Sequence, residues 1–158
     1  MRNKNIKRND GFTIIEVLIV LAIAGLIMLI VFLAVPALQR NARNTSRKSD
    51  ASSLGSAIAE YVNNNDGQIP GSCAEASCPF TQNWKPGYYT GTTAFSFVDN
   101  KSAPSVPADP KNVDTLLVES YMSCTSAAPS VGTSRSIAII YDVETGGGGT
   151  QEQCITAN

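Results

Sequence analysis

An α+β fold, one long amino-terminal helix packed on a small antiparallel β-sheet, is the class this sequence predicts, and three observations predict it. Val17 to Val35 is 19 residues without a charge; as a helix at about 1.5 Å per residue it spans roughly 28 Å, the thickness of a bilayer's hydrocarbon core. Past Pro36 the pattern turns amphipathic, with Leu38, Ala42, Leu54, Ile58, Tyr61 and Val62 recurring at separations that suit one helix face. The last third of the chain then holds β-rich segments, of which Ile137-Ala138-Ile139-Ile140-Tyr141-Asp142-Val143 is the clearest.

Residues 1 to 11 read as a targeting segment, basic through Arg2, Lys4, Lys7 and Arg8 and ending in Gly11. The apolar run that follows belongs in a membrane. One carboxylate, Glu16, stands at its head, where a charged side chain costs about 2.5 to 3.5 kcal/mol at mid-bilayer on insertion scales. A plain anchor has no use for it. A secretory signal peptide cleaved at Val35-Pro36-Ala37 is the rival reading, but the apolar run exceeds the usual apolar region and carries Glu16.

Gly11, Phe12 and Glu16, behind a basic leader and ahead of an uncharged bilayer-length run, resemble the processing and assembly signal of type IV pilin precursors. The resemblance implies that prepilin peptidase cuts between Gly11 and Phe12 and that the new amine of Phe12 is methylated. It also implies that Glu16 meets the Phe12 amine of a neighbouring subunit and sets the axial register. The reading of Glu16 that needs no neighbour is that it favours the positive end of its own helix, worth about 0.3 to 1 kcal/mol.

Gly25 and Pro36 interrupt the helix pattern. Proline removes one backbone hydrogen bond and clashes with the carbonyl four residues back, so a kink or loosening is expected on its amino-terminal side. In the family the helix melts locally between a glycine and a proline, although the family's common proline lies nearer the amino terminus than Pro36. From Phe12 to Asn63 the helix would run about 78 Å before kinks, far longer than a membrane requires. Its second half therefore lies outside the bilayer with its apolar stripe covered by the sheet. Arg40, Arg43 and Arg47 fall on one face, for interfacial snorkelling or for salt bridges to neighbouring subunits. Asn63-Asn64-Asn65-Asp66-Gly67 before Pro70 is the stop, with Gly67 able to adopt the left-handed conformation. The expected organisation is a leader at 1–11, a transmembrane and filament-core helix at 12–38, its amphipathic continuation at 39–66 and a head at 67–158.

Gly71 to Gly91, rich in Pro, Gly and Ser, reads as the connection from helix to sheet. Phe95 to Val98 and Thr115 to Val118 are strand candidates, while Val113, Leu116, Leu117 and Tyr121 would also suit a short helix. Gly146 to Gly149 between Val143 and Gln151 favours a closing hairpin.

The four cysteines, Cys73, Cys78, Cys124 and Cys154, lie beyond the membrane run, which fits an oxidising compartment and a head too small to rely on its core alone. Two disulfides are the default reading, and the spacing does not suit zinc. Cys73 with Cys78 would pin the connection. Many pilins close their last strands with a disulfide near the carboxyl terminus, so the resemblance implies Cys124 with Cys154. Cysteines and resemblance together place the amino terminus in the cytoplasm and the head outside.

Residues 49 to 158 hold four Lys/Arg against eleven Asp/Glu, so the head is acidic and nucleic-acid binding is disfavoured. The chain has no histidine, which removes the usual base for a serine or cysteine nucleophile, and no catalytic constellation appears. The glycine run lacks the Lys-Ser/Thr of a phosphate loop. Asp142, Glu144 and Glu152 leave a calcium site open, but no cofactor is implied. The function expected from the resemblance is the structural subunit of a type IV pilus. Its partners would be other copies of itself, prepilin peptidase and the inner-membrane assembly machinery, with membrane lipid before assembly and a surface filament afterwards. A pseudopilin of a type II secretion system, a minor pilin of a DNA-uptake filament and a released binding module are the alternatives.

Overall fold

The structure is a computed structural model that describes residues 11–71, 73, 77–82, 84–89, 94–101, 114–126 and 128–157. The basic residues of the leader, and Val113 of the helical alternative, lie outside the described residues. The chain divides into two compact units, Met1–Gln39 and Arg40–Asn158. One helix, α1 (Ile14–Asn64), contributes to both.

In the first unit the helix is apolar all round, and Val17, Leu21, Leu29, Phe32 and Leu38 are all exposed. It is long and apolar enough to cross a membrane, with a window of mean hydropathy 3.3 of which none is buried. α1 continues through Gly25 and Pro36, so the expected break is not an interruption here. Pro36 withholds one hydrogen bond from the Phe32 carbonyl, and the turns on either side keep theirs.

The second unit has a core. Along α1 the side chains of Arg47, Asp50, Ala51, Leu54, Ile58 and Val62 are buried at helical spacing. Against them packs a four-stranded sheet in the order β1 (Phe95–Val98), β2 (Leu116–Ser120), β5 (Ile137–Glu144), β6 (Thr150–Ala157). Leu116 and Val118 alternate into this core with Ile137, Ile139 and Tyr141, and Val118 sits opposite Ile139. That pairing settles the segment around Leu116 as a strand, because period-two burial leaves no use for a helical stripe. Gly55 lets the helix approach the sheet; a Cβ there would lie 3.3 Å from Ile139 Cδ1. β1 and β2 are parallel, a departure from a wholly antiparallel sheet. The long connection from 99 to 115 can return the chain to the same end, which a tight hairpin cannot.

The segment Gly71 to Gly91 does more than connect. Phe80, Trp84 and Tyr89 are buried, and Phe80 stacks with Phe95 and Phe97 at 5.7 and 6.0 Å between ring centroids. The short sheet of β3 (Met122–Thr125) and β4 (Ala128–Val131) has no counterpart in the sequence reading. Tyr121, at a φ of 62°, takes the chain out of β2 and into β3. β3 lies against β5 and β6, and Ala138 and Ile140, which alternate with the helix-facing side chains of β5, are buried as well. β5 is thus buried on both faces, as its near-continuous apolar run requires.

α1 ends where Gly67 N–H donates to the Val62 carbonyl at 2.8 Å, with Gly67 at a φ of +77°. A Cβ on Gly67 would lie 2.6 Å from Arg135 Nη2. Gly67→Ala is expected to destabilise the head by about 1 kcal/mol or more, from backbone strain plus displacement of Arg135. Thermal unfolding of the full chain in detergent micelles measures it, against Gly71→Ala, where an added Cβ meets nothing within 4 Å.

Candidate functional site

Gly11 and Phe12 precede α1, and Phe12 is 91% exposed. The peptide bond joining them is therefore outside the helix, in backbone a peptidase can draw into an extended conformation. Thr13 is the residue before the helix and Glu16 stands three residues on. Thr13 N–H and Oγ1–H both donate to Glu16 Oε2 at 2.8 Å, and Glu16 N–H points back to Thr13 Oγ1 at 3.4 Å. This is a capping box, in which two otherwise orphaned donors of the first turn are satisfied reciprocally. Thr13-Ile14-Ile15-Glu16 carries the sequence signature of that device, and a reading of Glu16 through its charge alone passes over it. Gly25 and Pro36 lie further along the same helix and are not brought to Glu16.

A second polar cluster gathers on the head. Arg43 donates to Glu144 through Nε at 3.0 Å and Nη2 at 2.5 Å, and Arg47 Nη2 donates to the same carboxylate at 2.8 Å. Asn44 uses its amide as a strand would: Nδ2 donates to the Glu144 carbonyl and Oδ1 accepts Glu144 N–H, each at 2.9 Å. Arg47 is only 1% exposed; its guanidinium lies 4.5 Å from the ring centroid of Tyr88 and donates to Tyr88 Oη at 2.5 Å. One turn on, the Asp50 carboxylate accepts three backbone N–H groups, from Gly87 at 2.9 Å, Tyr88 at 2.6 Å and Tyr89 at 3.1 Å.

Arg43 and Arg47 are thus engaged within their own chain, which corrects both snorkelling and bridges to neighbours for these two residues. The physical reason is that α1 turns its polar side to the end of β5, about a hundred residues away in sequence, and nothing local announces such a pair. Arg43, followed by Arg47, holds the Glu144 carboxyl down to about 2. Both Glu144 oxygens are committed to guanidinium groups, so that side chain is not offered as a calcium ligand. Among the described residues no three potential ligands stand close enough to hold a metal ion.

Cys73 is bonded to Cys78 and Cys124 to Cys154, with Cα separations of 5.3 and 5.6 Å. The first closes a small loop in the connection, and the second ties β3 to β6.

The prokaryotic N-terminal methylation motif matches residues 6–32. The chain carries the prepilin-type cleavage and methylation signal. That signal supports a precursor of the type IV pilin-like or pseudopilin kind and points to a structural subunit. The match covers the Gly11–Phe12 bond, Glu16 and the helix as far as Phe32, and leaves the head unassigned. It weighs against a signal peptide cut after Ala37. No curated protein and no solved structure matches the chain.

Two outcomes follow from the head cluster. The Glu144 carboxyl is depressed in the folded state, so the stability it contributes is present above its unfolded value of about 4.3 and is lost as pH falls toward about 2. Glu144→Gln should lower the melting temperature at neutral pH and flatten the acid limb of a melting-temperature profile. Asp50→Ala strands three backbone donors and is expected to cost about 3 kcal/mol or more, measured by thermal unfolding of the full chain.

Proposed function

We propose that this chain is the structural subunit of a type IV pilus. It would be cut between Gly11 and Phe12, methylated at the Phe12 amine, and assembled into a helical filament through residues 12–38 with the disulfide-bonded head displayed outside. The observation that carries the reading is the methylation motif at residues 6–32, heading a helix whose large apolar side chains from Ile14 to Leu38 are exposed. Such a surface is stable only in lipid or against other apolar surfaces, and copies of the same helix supply the second once a subunit leaves the membrane.

In this reading the chain starts in the cytoplasmic membrane as a single-pass protein with its head outside. Prepilin peptidase and the inner-membrane assembly machinery are its partners there. The carboxylate of Glu16 and the cationic amine of a neighbouring Phe12 would then offset part of each other's desolvation among the packed helices. The Gly25 and Pro36 positions would absorb the bending that packing demands, since the hydrogen bond from residue 36 is already missing. A pseudopilin of a secretion system shares every one of these steps and differs in forming a short filament that stays within the envelope.

Mass spectrometry of the mature protein should find a methylated Phe12 as its first residue; a start at Leu38 would refute processing by prepilin peptidase. Sheared surface filaments should contain this chain as their dominant band, and its absence from them would favour the pseudopilin. The two roles open to Glu16 separate on a pair of variants. Thr13→Ala and Glu16→Ala both break the capping box, at about 1 kcal/mol. A register partner is lost only in the second. Glu16→Ala subunits should accumulate in the membrane and assemble poorly while Thr13→Ala subunits still form filaments. Equal filament yield from the two would reduce Glu16 to a cap.

A further inference from the structure

In the second unit, the side of α1 that turns away from the sheet is used neither by the core nor by the clasp of Arg43, Arg47 and Glu144. Asn41, Thr45, Ser52 and Ser56 are exposed along it, and so are its charged residues, Lys48 and Glu60. At 3.6 residues per turn these six fall within an arc of about 120°. Two hollows, of about 410 and 480 Å³, run along this side and share Thr45 and Lys48. Tyr141, Val143 and Gln153 wall the first and a row of serines the second, and no acidic residue lines either. Lys48 therefore stands in a recess that a carboxylate can enter.

Neither charge is answered along its own helix. The positions three and four residues from Lys48 are Asn44, Thr45, Ala51 and Ser52, and those from Glu60 are Ser56, Ala57, Asn63 and Asn64. The ion pairs among the described residues are made by Arg43 and Arg47 to Glu144 and involve neither.

We propose that this side of α1 docks a second copy of the chain, parallel and head to tail, with Lys48 of one copy against Glu60 of the next. The inference rests on the filament reading above, which supplies the second copy and its direction, since subunits drawn from one membrane carry α1 the same way round. Lys48 and Glu60 are twelve residues apart, which is about 18 Å along one helix and too far to meet within a chain. Parallel copies offset along the axis by about that distance bring the cation of one opposite the anion of the other. Each copy keeps one charge unused at either end, so the contact is heterologous and repeats into a filament. An acidic partner of another kind would answer Lys48 and leave Glu60 unmatched, whereas a second copy answers both with the surface already present. An exposed ion pair adds little affinity; it selects direction and spacing, because like charges repel at the wrong offset.

Zero-length carbodiimide cross-linking of cells expressing the full chain, followed by peptide mapping, tests the contact. A Lys48–Glu60 linkage is necessarily between copies, because the two side chains lie about 18 Å apart on one helix. The products should form a ladder past the dimer. Lys48→Glu or Glu60→Lys alone should lower filament yield several-fold, and the two together should restore it. Neither should move thermal unfolding of the full chain in detergent micelles, since both side chains are exposed. Wild-type cells without surface filaments would overturn the pilus reading, while the same linkage sought in the membrane fraction still decides the docking. Docking is overturned by the absence of the linkage from both filaments and membranes, or by products that stop at a closed dimer. It is equally overturned by single substitutions that assemble at wild-type yield, or by a double substitution no better than the singles.

Discussion

The head is built around a constraint on one helical turn: α1 buries two charged side chains, Arg47 and Asp50, three residues apart. Neither can be left without partners in a low-dielectric interior, where an unpaired charge costs several kcal/mol. Much of what is irregular in the fold answers that demand. Gly87 to Tyr89 turn three successive N–H groups toward Asp50, and the ring and hydroxyl of Tyr88 close over Arg47. Glu144, at the end of β5, completes the Arg47 site and brings in Arg43. The same side of α1 thus fixes the position of the connection and the end of the strand that forms the closing hairpin. Hydrophobic burial supplies the attraction between helix and sheet, and these directional contacts choose the register at which they meet.

Features set by periodicity were legible in the sequence. The helix from the signal to the Asn-rich stop, the β5 strand and the glycine hairpin each follow from local repeats, and Ile139 and Leu54 stand where alternation and helical spacing put them. What stayed hidden depends on contacts between distant residues. The Arg47 to Glu144 pair joins residues that no local pattern relates. β3 and β4 are short, polar and contain Pro129, so they form strands because β5 and β6 offer a face to cover, against their own propensity. The connection rich in Pro, Gly and Ser lies where its composition puts it but supplies more of the core than that composition suggests. Four of the chain's eleven aromatic residues fall between Phe80 and Tyr89, a density that a solvated linker has no reason to carry.

The assembly signal was legible for the opposite reason, since it is written in contiguous residues for an enzyme and a membrane to read. Among the described residues of the first unit none is buried. Its apolar side chains define a solvent preference and leave the choice between lipid and neighbouring helices to circumstance. Among its described residues Thr13 and Glu16 carry the directional side-chain bonds, and they make them to each other.

That prior engagement bears on how a subunit could enter a filament. A capping box contributes about 1 kcal/mol at a wet helix end, where water can replace the lost bonds. Among packed apolar helices water is gone, and the carboxylate then needs a positive charge more than it needs two neutral donors; charge-assisted hydrogen bonds are roughly twice as strong as neutral ones. Thr13 would therefore hold Glu16 in a defined position in the free subunit and yield it when a cationic Phe12 amine arrives. A carboxylate kept on a weak, local partner is shielded from pairing with stray cations and is already positioned at the head of its helix. On the proposed reading, the exchange of a neutral partner for a charged one would become favourable only as lipid and water are excluded, which would tie formation of the ion pair to correct docking of the helix.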